Sequence, residues 1–246
     1  MVVFVKDPEG RPAVDLAKLS TGGHHDLVKR AQKAGIALSK RGLSGVRAQA
    51  RVVLDFSGSM RRDYQSGAVQ TLIERALGFS LQIDVDGRVP ITPFDTNVRP
   101  TVIATTDNYQ GIVDREIWPD PRMHMGTTNM AAALQVILDE ATRATEPTFC
   151  IVVADGGPDS KRATTKVIYD LAGYPVFLKL LAVRPVAYFQ TLDDYDGPSR
   201  LLDNCDTKTS TGDLDLLTCT DLQFAEAMAD EWDTWIDAAH RHGILT

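Results

Sequence analysis

Four apolar runs, Ala48 to Phe56, Val89 to Phe94, Phe149 to Ala154 and Val176 to Val183, alternate along this chain with stretches whose apolar residues recur every third and fourth position. That alternation limits the fold more than any other feature. The first, third and fourth runs are nearly continuous in Val, Ile, Leu and Ala, as in strands covered on both faces. Val89 to Phe94 carries Pro90 and Pro93, which predict an edge or irregular strand. Val69, Leu72, Ile73, Ala76 and Leu77, and again Met130, Leu134, Ile137, Leu138 and Ala141, each form one helical stripe. Val167, Ile168 and Leu171 continue the pattern, and Phe224 to Ala239 reads as a single C-terminal helix, started by Asp221 as N-cap and closed by Gly243. Strands alternating with helices predict a doubly wound α/β fold, a mostly parallel central sheet flanked by helices. The Asp-, Ser-, Thr- and Gly-rich stretch Asp193 to Gly212 is expected to form loops.

The predicted organisation is an N-terminal extension with a basic helix over residues 1–44 and one α/β domain over residues 45–246 that includes the C-terminal helix. A net charge of −7 argues against a nucleic-acid surface, which needs clustered cations to neutralise phosphates. Lys29, Arg30, Lys33, Lys40, Arg41, Arg47 and Arg51 run against this balance and read as a solvated helix face, with a docking surface for an acidic partner as the alternative. Cys150, Cys205 and Cys219 have no metal-like spacing and are read as free thiols, which suits a reducing compartment. No run is long enough to cross a bilayer, and Met1 to Val5 is too short for a signal-peptide core, so a cytoplasmic protein without membrane attachment is expected.

In doubly wound sheets, ligands bind beyond the carboxyl ends of the strands. There the chain reads Asp55, Phe56, Ser57, Gly58, Ser59: one carboxylate and two hydroxyls at alternate positions, with a glycine to permit a tight bend. Hard oxygen donors of this kind select Mg²⁺, Mn²⁺ or Ca²⁺. Asp155 leaves the third run, and two carboxylates at adjacent strand ends call for a proton or a cation between them. Otherwise Asp155 simply opens the Gly156-Gly157-Pro158 turn. Thr127 and Thr128 precede a helix at the same end of the sheet, where a threonine hydroxyl serves as an N-cap or as a further oxygen donor.

Together these three pieces resemble the von Willebrand factor type A (vWA) domain, whose metal-ion-dependent adhesion site (MIDAS) combines an Asp-x-Ser-x-Ser loop, a threonine and a later aspartate. Gly126 to Leu134 is similar to the family's Gly-Gly-Thr-Asn-Ile-Ala-Ala-Ala-Leu stretch, with Thr128 rather than Thr127 in the ligand position and one glycine of the pair replaced in the neighbourhood of Thr127. The resemblance spans roughly residues 45 to 200 and implies a Rossmann-like vWA fold. It also implies one divalent cation, Mg²⁺ first and Mn²⁺ or Ca²⁺ next, held by Ser57, Ser59 and Thr128 directly, and by Asp55 and Asp155 largely through water. The open coordination position is then filled by an Asp or Glu of a protein partner.

Gly35 to Leu43, the Asp86-Gly87 turn before Phe94-Asp95, and the Trp232 and Trp235 helix ending in Gly243-Ile244-Leu245 resemble the bacterial tellurium-resistance group of these domains, which is associated with stress proteins. A non-enzymatic, metal-dependent protein-binding module is therefore the leading expectation. A metal-dependent phosphatase-like hydrolase is the enzymatic alternative. It normally needs a second aspartate two positions after the first as acid and base, and that position is Ser57. A scaffold that keeps its site empty is the third reading.

Overall fold

In the computed structural model, residues 2–193, 199–211 and 214–246 are described. β1 (Gln49–Asp55), β2 (Arg88–Phe94), β3 (Val102–Thr105), β4 (Thr148–Ala154), β5 (Val176–Ala182) and β6 (Cys205–Thr209) form one sheet in the order β3-β2-β1-β4-β5-β6. Every pairing is parallel except β2 with β3. Helices α1 (Leu16–Thr21), α2 (His25–Lys40), α3 (Arg61–Gln65), α4 (Ala68–Ser80), α5 (Met130–Ala141), α6 (Lys161–Leu171), α7 (Ala187–Asp193), α8 (Asp221–Ala229) and α9 (Trp232–Arg241) complete the fold. The alternation of side chains along each strand sorts the core into two layers. Val52 and Leu54 of β1 join a cluster with Leu27 and Ala31 of α2, Leu72 of α4, Met228 of α8 and Trp235 of α9. Val53, between them, joins Leu134 of α5, Ile168 of α6 and Phe189 of α7 on the other face. The predicted doubly wound α/β architecture is present, and every residue of β4 and β5 is buried.

Four expectations change. β2 is not an edge strand but lies between β1 and β3, and β3, the antiparallel edge, carried no clear apolar signal. Its prolines do not exclude it from the sheet, because Val89, Ile91 and Phe94 bury their side chains there and packing overrides local propensity. Pro93 falls beyond Ile91, the last residue paired with β3.

Within Asp193 to Gly212, Cys205–Thr209 forms β6, pairing in parallel with β5, and Asp193 itself ends α7. Residues 194–198 and 212 of that stretch lie outside the described residues. The mostly polar sequence of β6 hides a strand in which buried Asp206 forms an ion pair with Lys179, its register partner in β5.

The C-terminal helix is two helices. Thr220, not Asp221, is the N-cap of α8, in a capping box with Gln223. α8 stops at Ala229, Glu231 takes a left-handed φ of 59°, and α9 begins afresh. Lys179, fully buried, donates to the carbonyls of Ala227 at 2.9 Å and Asp230 at 2.8 Å, so a strand side chain satisfies carbonyls that a continuous helix would have bonded internally.

Finally, the basic segment is largely neutralised within the molecule. Arg30 pairs with Glu74 at 2.8 Å, Lys40 with Glu226, Arg41 with Asp230, and Arg51 with Glu140 at 3.1 Å. α2 is packed through Leu27, Ala31, Ala34 and Leu38 into the same core as α4, α8 and α9. Cys150, Cys205 and Cys219 are free thiols. No helix among the described residues is long and apolar enough to cross a membrane.

Candidate metal centre

β1 and β4 are neighbours whose onward connections leave toward opposite sides of the sheet, β1 to β2 and β4 to β5. A crevice opens at such a switch point. Asp55, the last residue of β1, stands there at 0% exposure. Its Oδ1 accepts the Ser57 N–H at 2.7 Å, while its backbone carbonyl accepts the Tyr64 hydroxyl at 3.0 Å. The chain then turns through one 3₁₀ turn, Gly58–Met60, which brings Ser57 Oγ within 3.1 Å of Ser59 Oγ. Ser59 Oγ donates to Asp155 Oδ1 at 2.8 Å, so the loop after β1 and the loop after β4 are joined by hydroxyl and carboxylate oxygens.

The segment before α5 is fastened to this loop by Gly58 N–H, which donates to the Gly126 carbonyl at 3.0 Å. Gly126 has to be glycine, since a Cβ there would lie 2.4 Å from Thr96 Oγ1 and 3.1 Å from the Thr96 nitrogen. Asn129 is the N-cap of α5, accepting from Ala132 N–H, so neither threonine caps the helix. Thr127 Oγ1 donates to Asp159 Oδ2 at 2.6 Å, and the Thr128 N–H donates to Asp159 Oδ1 at 3.0 Å. Thr128, 9% exposed, keeps a hydroxyl without an intramolecular hydrogen bond among the described residues. Asp55, Ser57, Ser59 and Asp155 are thus in one hydrogen-bonded chain, and Thr128 sits on the adjoining loop.

Burial is the main influence on the Asp55 carboxyl, pushing it up to about 7. Hydrogen bonds from Ser57 oppose the shift and the nearby Asp155 charge adds to it. Asp55 Oδ2 is buried with no hydrogen-bond partner among the described residues. An orphaned carboxylate oxygen inside a cluster of oxygen donors fits a hard divalent ion, or water bound to one, better than it fits a purely structural turn. A second acidic group, Asp193, Asp206 and Glu231, is held differently. Lys179 pairs with one oxygen of Asp206 and Lys208 with the other at 2.8 Å, and Thr207 N–H donates to Asp193 at 2.8 Å.

Several supporting residues escaped the sequence reading. Asp95, leaving β2, accepts the N–H groups of Asn97 at 2.9 Å and Gly126 at 3.2 Å and pairs with Arg99. Asp159 anchors Thr127 and Thr128. Arg184, two residues beyond β5, holds Asp155 Oδ2 at 2.8 Å and Asp63 Oδ2 at 2.8 Å. The strand-end rule that found Asp55 and Asp155 finds Asp95 and Arg184 too when applied to β2 and β5.

Fold and site together define a vWA domain. The family model described as the vWA found in the TerF C terminus matches residues 47–245, and the chain belongs to this vWA-TerF-like family. It is similar to the protein YcbR of Bacillus subtilis (strain 168), 27% identical over 226 residues that cover 89% of each chain. Among solved structures, manganese-loaded TRAP of Plasmodium vivax is 19% identical with a TM-score of 0.46, covering 74% of this chain and 71% of that one. Proximal thread matrix protein 1 of the mussel byssus, with a zinc-occupied MIDAS motif, is 16% identical with a TM-score of 0.48, covering 74% of this chain and 48% of its own.

Proposed function

We propose that this chain is a non-enzymatic, metal-dependent protein-binding module. Ser57, Ser59 and Thr128 would hold a divalent cation directly, Mg²⁺ first with Mn²⁺ or Ca²⁺ as alternatives, and Asp55 and Asp155 would hold its waters. The observation that carries this reading is the orphaned Asp55 Oδ2, buried among oxygen donors contributed by separate loops. When bound, the ion supplies positive charge and an open coordination position, and the partner is a protein that offers an Asp or Glu to it. Membrane and nucleic acid have no part in this reading, and the setting is a cytoplasmic bacterial stress or tellurium-resistance system.

A phosphatase-like hydrolase is disfavoured by chemistry. The side chain two positions after Asp55 is a hydroxyl engaged with Ser59, so a carboxylic acid to protonate a leaving group is missing from that position. Thermal unfolding with and without Mg²⁺, Mn²⁺ and Ca²⁺, followed by capture of partners from the native cell with the ion present or chelated, tests the proposal. A ligand that binds only the folded state raises the melting temperature. No shift at saturating ion refutes the metal site, and partner capture that survives complete chelation refutes the metal bridge.

A further inference from the structure

Two carboxylates beside the candidate metal centre are almost sealed from solvent: the Asp155 side chain is 3% exposed and that of Asp63, in α3, is 8% exposed. One guanidinium serves both. Arg184 Nη1 donates to Asp155 Oδ2 at 2.8 Å, and its Nη2 donates to Asp63 Oδ1 at 3.0 Å and Oδ2 at 2.8 Å. With Ser59 on Oδ1 and Arg184 on Oδ2, both oxygens of Asp155 are committed. The arginine side chain is itself 44% exposed, so it can leave Asp155 for water without giving up Asp63.

We infer, resting on the metal reading above, that Arg184 is a built-in counter-cation of the site. It neutralises Asp155 while the divalent ion is absent and competes with that ion for the same carboxylate. The physical grounds are charge and reach. Asp55, Asp63 and Asp155 place three carboxyl groups around one crevice, and a buried carboxylate stripped of its partner is costly. An ion entering beside Ser59 supplies charge that Asp155 already draws from Arg184, and the two cations repel. Arg184 therefore stabilises the metal-free state more than the loaded state, and linkage turns that difference into weaker metal binding. The arginine thereby sets the cation concentration at which the module switches on. It acts through Asp155 and is a positioning residue, not a ligand.

The test is calorimetric titration with Mn²⁺ of the wild type, Arg184→Gln and Arg184→Lys, together with melting temperatures in chelator and at saturating Mn²⁺. Arg184→Gln should bind Mn²⁺ about tenfold more tightly, a factor ordinary for coupling between ligands that share a site. It should also melt lower than wild type in both states, because Asp63 loses its partner in each, but by clearly less when loaded than in chelator. Arg184→Lys keeps the charge and should stay within about threefold of wild type, as expected if charge and not shape sets the competition. Unchanged or weaker binding by Arg184→Gln while the wild type binds normally, or an equal fall in melting temperature in both states, would overturn the role of Arg184 and leave the metal site standing. Absence of binding in both wild type and Arg184→Gln would remove the metal site and this inference with it.

Discussion

Replacing Asp55 by Asn should make the chelated protein more stable and the metal-loaded protein less so. The residue is fully buried at the end of β1, and burial raises its carboxyl from 3.8 to about 7. A carboxylate whose folded pKa is raised imposes no cost below its unfolded pKa, because it is protonated in both states there. The cost grows as pH rises from 3.8 and levels off above about 7, since the unfolded chain then ionises where the folded one resists. At about 1.4 kcal/mol per unit, the full cost above pH 7 is about 4 kcal/mol, and at pH 5 it is about 2 kcal/mol.

Asn keeps an oxygen for the Ser57 N–H and carries no charge, so it escapes this cost at every pH. Urea unfolding in chelator should show the variant more stable at pH 8 than at pH 5, relative to wild type, by about 2 to 3 kcal/mol. Saturating Mg²⁺ should reverse the order at pH 8, since the wild-type carboxylate then has the cation it is positioned for. A gain in chelator that is equal at the two pH values would refute the electrostatic argument. An advantage of the variant that saturating Mg²⁺ leaves unchanged would refute the assignment of Asp55 to the ion.

Thr128→Ala should weaken Mn²⁺ binding about tenfold or more, with little loss of stability, because its hydroxyl has no hydrogen-bond partner among the described residues, whereas Thr127→Ala should cost stability through the lost Asp159 contact and affect binding less. Calorimetry and melting curves separate the two, and the reverse order of binding loss would move the ligand to Thr127. Gly126→Ala should push the Thr96 loop away and lower stability by about 1 to 3 kcal/mol, since the new Cβ falls well inside contact distance; an unchanged midpoint in urea would show that the loops yield freely. Lys179→Met should destabilise by about 3 to 5 kcal/mol, because it leaves one oxygen of the buried Asp206 without its cation and strips the carbonyls of Ala227 and Asp230 of a donor. A loss under about 1 kcal/mol in denaturant unfolding would show that Lys208 alone carries Asp206.

The fold class and the donor chemistry of the site were legible in the sequence because both are written locally. β1, β4 and β5 read as strands buried on both faces, because a parallel sheet sandwiched by helices tolerates almost nothing polar there. The Asp55-Ser57-Ser59 loop read as a hard-metal loop because three oxygen donors within five residues share one turn. Partnerships across the sheet are not written locally, and tertiary structure decided them. β6 is a strand because Asp206 finds Lys179, and α8 ends because that same lysine reaches its carbonyls from β5. β2 sits inside the sheet despite two prolines because burial of Val89, Ile91 and Phe94 outweighs local propensity. Likewise Arg184 lies 29 residues from Asp155 and 121 from Asp63 in sequence, and only the order of β1, β4 and β5 gathers the three at one strand end. Periodicity and turn chemistry act over a few residues, whereas a buried charge takes its partner from whichever strand the topology places beside it.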